Sequence, residues 1–164
     1  MDAARDVAAA VAEVADRFAA QRPQRQGRRA LDRADFAELA AAGFLRTGLP
    51  AERGGLWTGL ATTTRTVCEL LRVLAQGDPS VALVAAMHPG VLSLWLAPPD
   101  GAGDDPAWAA QCEEVFAAVE AGSWFGTITS EPGSGGDVTR TRATARPLPD
   151  GRWAISGQKH FGSG

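Results

Sequence analysis

Two cysteines, Cys68 and Cys112, are all that the 164 residues contain. They lie far apart and lack metal-type spacing, so neither a disulfide framework nor a cysteine-based metal site is expected. Both read as small core residues of a reduced protein, and no metal is expected. The chain also lacks an excess of positive charge. Its net charge of -3 argues against a general affinity for nucleic acid or an anionic membrane, since both require a basic surface. No N-terminal stretch has the apolar core of a signal peptide, because Asp2, Asp6, Glu13 and Asp16 interrupt it. No apolar run reads as long enough to span a bilayer. A cytoplasmic location is the expectation. There is no internal repeat, and no low-complexity tract beyond alanine enrichment.

What remains is an ordinary globular composition, with 45% apolar and 21% charged residues. The length suits one domain, or one domain and part of another. The first 121 residues read as helices. Val7, Val11, Val14 and Phe18 form one apolar stripe over 3–20. Pro23 and the Arg/Gln run end that helix. Asp32 caps a second helix with Phe36, Leu39 and Ala40 inward, and Gly43 stops it. A loop spans 49–59. Val67, Leu70, Leu71 and Leu74 mark a third helix over 61–75. Asp78-Pro79 and Asp105-Pro106 each place a cap before a proline that suits the first helical turn. They open an apolar helix over 80–87 and another helix over 107–121. His88-Pro89-Gly90 breaks or kinks the former, and a further helix continues over 91–96. The basic cluster Arg22, Arg25, Arg28, Arg29 and Arg33 reads as a solvated loop and helix start; holding phosphate is the alternative.

After Gly122 the pattern changes. Residues 124–129, 139–146, 153–156 and 159–161 read as short strands, the middle two joined by a hairpin ending in Asp150-Gly151. The fold class is therefore α+β: an all-helical domain over 1–121, then a partial β domain over 122–164. So few strands leave an unpartnered edge, which makes Gly164 a poor natural end.

Between the first two strands lies Thr129-Ser130-Glu131-Pro132-Gly133-Ser134-Gly135-Gly136-Asp137. Glycine allows main-chain N–H groups to approach an anion, and Thr129 and Ser130 offer hydroxyls to a ring edge or carbonyl. A plain surface turn needs only the same residue types. The third strand leads into Ile155-Ser156-Gly157-Gln158-Lys159-His160-Phe161.

Together these two segments resemble the acyl-CoA dehydrogenase family of flavoproteins. The first matches its T-E-P-G-[AS]-G-S-D segment at Ser130 to Gly135 and at Asp137, with Gly136 where serine is usual. The second matches N-G-x-K-x-[FW]-I-T-N-G at Gly157, Lys159 and Phe161, with Ser163 in the threonine position. Phe36 to Ala40 with Gly43-Phe44-Leu45, the Leu49 to Gly55 loop and Asp78 to Ala82 resemble further family segments in the same order. In that loop Arg53 replaces the usual aromatic.

The resemblance implies an N-terminal helical domain followed by the first strands of an incomplete β-barrel. It implies FAD contacts for Thr129, Ser130, Gly135, Gly136, Phe161 and Ser163, and a substrate position for Ser134. It also places His88 near the acyl pocket, although the residue alone reads as a satisfied structural histidine. Glu131 is implied to be scaffold. An acyl thioester substrate and a homo-oligomer follow from the family, with no nucleic acid and no membrane partner. No catalytic residue is assigned, because the family's glutamate base lies beyond Gly164. Two alternatives stand beside α,β-desaturation. The ending Phe161-Gly162-Ser163-Gly164 also resembles monooxygenases of the same superfamily that use reduced FMN or FAD. The second alternative is an inactive remnant, or a subunit that lends half a site to a partner.

Overall fold

The computed structural model describes residues 3–98, 100–133 and 135–162, and the chain divides into two compact units, one running to Phe125 and one from Gly126. The N-terminal unit is helical: α1 (Ala3–Ala20), α2 (Arg22–Gln26), α3 (Arg33–Ala41), α4 (Leu60–Gly77), α5 (Pro79–Ala85), α6 (Met87–Leu96) and α7 (Pro106–Glu120). The expected α1 stripe is its buried face, with Val7, Val11, Val14 and Phe18 all inside. α1 packs on α4, where Leu70 and Leu74 face it with Val81 and Ala85 of α5 in one core. The approach is close at Gly77, where a Cβ would stand 2.4 Å from the Ala15 carbonyl oxygen, so only glycine fits. A second core gathers Leu45, Leu49, Leu92, Phe116 and Val119.

The three aspartate caps form as their positions predict. Asp32 accepts from the Ala34 N–H at 2.9 Å, Asp78 from Ser80 and Val81 at 2.9 and 3.1 Å, and Asp105 from Ala107 at 2.8 Å. Gly43, with φ of 83°, ends α3 in the left-handed region.

Proline behaves differently from expectation in two places. The run after α1 is itself a short helix, because Pro23 sits in its first turn, where a missing N–H costs nothing. The break expected at 88–90 falls earlier, at Ala86. Pro89 lies in the first turn of α6, and its ring excludes a helical bond to Ala85, four residues back, which is where α5 ends. This also revises the expectation about apolar length. Pro79–Leu96 is 18 residues of mean hydropathy 1.4, but it consists of α5 and α6 divided at Ala86.

The cysteines also depart from expectation. Cys68 is exposed on α4 and Cys112 is half-buried on α7; both are free thiols.

The C-terminal unit holds one antiparallel hairpin, β1 (Thr144–Pro147) with β2 (Trp153–Ser156), in register Thr144 to Ser156 through Pro147 to Trp153. The α+β class is thus observed, with fewer strands than expected. Residues 124–129 and 159–161 are not ladder strands, and 139–146 yields strand only from Thr144, after a 3-10 turn at Val138–Arg140. A strand exists through its partner. Between the segments around 130 and 160 a single main-chain bond is seen among the described residues, His160 N–H to the Ser130 carbonyl at 3.0 Å. Trp124, read as the first strand residue, belongs instead to the helical core. Its ring lies 5.2 Å edge-on from Phe36, 5.8 Å stacked on Phe44 and 5.2 Å from His88.

Candidate functional site

One carboxylate organises the glycine-rich loop of the C-terminal unit. Glu131 is 3% exposed and accepts from four donors: the Thr141 hydroxyl at 2.5 Å, the Arg142 and Ala143 amides at 2.6 and 3.1 Å, and Lys159 Nζ at 2.6 Å. Lys159 also donates to the Thr129 carbonyl at 3.2 Å and to Thr141 Oγ1 at 3.0 Å. Three segments remote in sequence therefore meet at one charge pair. The Lys159 ammonium first, then the Thr141 hydroxyl and the Arg142 amide, hold the carboxyl down at about 2. It is a permanent anion near neutral pH, with its lone pairs occupied, and so a poor proton acceptor.

The loop closes over this anchor. The Glu131 and Gly135 main chains exchange bonds of 2.9 and 3.0 Å, and Asp137 accepts from the Thr139 amide and hydroxyl at 3.1 and 2.6 Å. Gly135, with φ of 59°, turns the chain and has open space where a Cβ would be. A Cβ on Gly136 would stand 4.0 Å from Ser130 Oγ, which is the nearest neighbour there. Ser130 is half-buried and Thr129 exposed.

The bond from His160 to Ser130 brings Phe161 to the same edge. Its ring is 82% exposed, and its backbone sits at φ of 58°, the left-handed region that a bulky residue rarely occupies. Thr129, Ser130, Gly135, Gly136 and Phe161 are thus drawn around one anchored loop. Ser134 and Ser163 lie outside the described residues.

His88 belongs to the helical unit and is fully buried. The Phe125 N–H donates to Nδ1 at 3.2 Å, so Nδ1 is the bare nitrogen and Nε2–H donates to the Leu45 carbonyl at 3.2 Å. Burial pushes its pKa below the ordinary range, only partly opposed by the Leu45 bond. The ring is a neutral clamp on the Trp124-Phe125 segment.

Two features had no sequence signal. Arg25, read as solvated, is 7% exposed and lies between two carboxylates. Its Nε donates to Asp78 at 2.7 Å and its Nη1 to Asp35 at 2.9 Å, with Arg28 on the far side of Asp35 at 2.9 Å. Its guanidinium also covers the Phe18 ring at 3.6 Å. Nη2 approaches Asp35 Oδ2 to 2.9 Å as an ion pair but makes no well-aligned hydrogen bond. Arg53, in place of an aromatic, grips Glu120 with two bonds of 2.8 Å and Glu113 with one of 2.6 Å, tying the 50–57 loop to α7. The Arg25–Asp78 and Arg53–Glu120 pairings were not legible, because their partners are 53 and 67 residues apart in sequence.

Comparison with known proteins adds to this geometry. No family model and no solved structure matches the chain. By its sequence the chain is nonetheless similar to an acyl-CoA dehydrogenase, in keeping with the two loop segments. The similarity is to 3-methylmercaptopropionyl-CoA dehydrogenase of Ruegeria pomeroyi, 51% identical over 127 residues, which amount to 77% of this chain and 20% of that protein.

Proposed function

We propose that the chain contributes the loop facing flavin and acyl groups to an FAD-dependent acyl-CoA dehydrogenase that works as a homo-oligomer. The observation that carries this reading is the 51% identity to a protein named as an acyl-CoA dehydrogenase. The residues fit FAD in their chemistry. Two hydroxyls, at Thr129 and Ser130, and an unfilled approach at Gly135 suit a polar ring edge, and an exposed ring at Phe161 suits a flat aromatic face. A flavin held there would supply the hydride acceptor for desaturation of the acyl thioester.

The chain's own part is positioning. Ser130 and Thr129 would hold the ring edge by their hydroxyls and Phe161 would offer its ring to the flavin face, while Glu131 with Lys159 anchors the loop. No residue here is assigned as the base for the α proton. Glu131 is excluded by its bonds and its low pKa, and His88 because both its nitrogens are engaged inside the helical core.

The test is turnover by the intact gene product with an acyl-CoA and an electron-accepting dye. The expected product is the thioester two hydrogens lighter, formed without oxygen. A product carrying an added oxygen atom would instead favour the oxygenase chemistry of the same superfamily. No turnover with any acyl-CoA would refute the proposal.

A further inference from the structure

We infer that the helical unit carries a phosphate-binding site, separate from the flavin-facing loop, in the arginine-lined cavity between α2 and the junction of α4 and α5. The cavity is about 730 Å³ and is walled by Arg22, Arg25, Arg28, Arg29, Gln76 and Asp78, among others. The charge count decides its preference. Arg25 and Arg28 are matched by Asp35 and Asp78, which form a balanced quartet. Arg22 donates only to a neutral group, the Gln76 carbonyl, at 2.5 Å. Among the described residues no carboxylate lies within ion-pair distance of Arg22 or Arg29, so two guanidinium charges face the cavity uncompensated. Nη2 of Arg25, in the same wall, stands 2.9 Å from Asp35 Oδ2 as an ion pair without an aligned hydrogen bond.

A ligand that answers all of these features carries two negative charges and several acceptor oxygens in a compact group, which is the description of a phosphate. Arginine forks bind phosphate in the bidentate manner that lysine cannot reproduce. The walls also hold apolar atoms of Leu31, Ala75 and Pro79, so a phosphate attached to an organic body fits as well as the free ion.

The test is calorimetric titration of the full chain with inorganic phosphate and with AMP at low salt. Saturable binding at one site is expected, weakened about tenfold by Arg29→Gln, the worth of one charge-assisted hydrogen bond. Arg22→Gln is expected to act likewise, and both side chains are exposed, so the fold is kept. Arg65→Gln removes an equal charge outside the cavity and is expected to leave binding unchanged. AMP binding more tightly than phosphate identifies a phosphorylated organic ligand; equal affinity identifies the free ion. No saturable binding, or equal weakening by all three variants, overturns the site.

Discussion

Glu131 and His88 are both buried and titratable, yet opposite in character. Glu131 is held as an anion and His88 as a neutral ring, and each therefore makes stability depend on pH in its own window. The Glu131 carboxyl titrates at about 2 in the fold against 4.5 when free. Its contribution is complete above 4.5 and is lost as pH falls towards 2, because the unfolded chain binds the proton first. Glu131→Gln removes the charge that gathers Thr141, Arg142, Ala143 and Lys159. Hydrogen exchange is expected to quicken at the Arg142 and Ala143 amides and to remain unchanged in α1 and α4. Unchanged rates at those two amides would show that the carboxylate is not the anchor.

For His88 the folded pKa lies below the ordinary 6.5. Between the two values the unfolded chain again binds more protons, so stability is complete above 6.5 and falls as the solution is acidified below it. Urea unfolding across that range should show the loss in the natural protein, whereas His88→Gln should be flat there. A parallel loss in the variant would assign the effect elsewhere.

At the level of elements, local chemistry was legible and long-range pairing was not. Asp32, Asp78 and Asp105 were readable as caps because a cap bonds to main-chain amides two or three residues onward. The α1 stripe was readable because its period is that of one helix face. Nothing in the local sequence told that Asp78 also meets Arg25, 53 residues away, or that Trp124 would fill the helical core instead of opening a strand. The position of the α5–α6 break depended on Pro89 acting one turn upstream, which composition around 88–90 does not show.

The difference between a cap and a cap with a buried partner is measurable. Asp105→Ala should cost about 1 kcal/mol, the ordinary worth of an exposed cap. Asp78→Ala should cost about 3 kcal/mol or more, because it also strips Arg25 of a partner inside the fold. Denaturant unfolding of both variants checks the ordering. Equal losses would mean that the Arg25 pairing adds nothing beyond the cap.

Of the whole molecule, the helical unit has two cores and three formed caps, while the C-terminal unit has one hairpin and an anchored loop with Phe161 turned outward. The candidate flavin contacts were found in sequence because they sit in two short motifs. Their anchor, the Lys159–Glu131 contact, has no local sequence signal, since nothing near either residue links positions 131 and 159. Thr129 and Phe161 are exposed, and the 164-residue chain alone is expected to bind FAD weakly or not at all. Stoichiometric yellow protein from that chain would contradict this.

On the proposed reading these loops serve a flavin-dependent acyl-CoA dehydrogenase. The most direct measurement is the visible spectrum of the intact gene product from its native source, taken before and after anaerobic addition of an acyl-CoA, with the intact mass recorded on the same sample. Flavin absorption that bleaches on adding the thioester is expected. Colourless protein, or flavin absorption indifferent to every acyl-CoA, would contradict it.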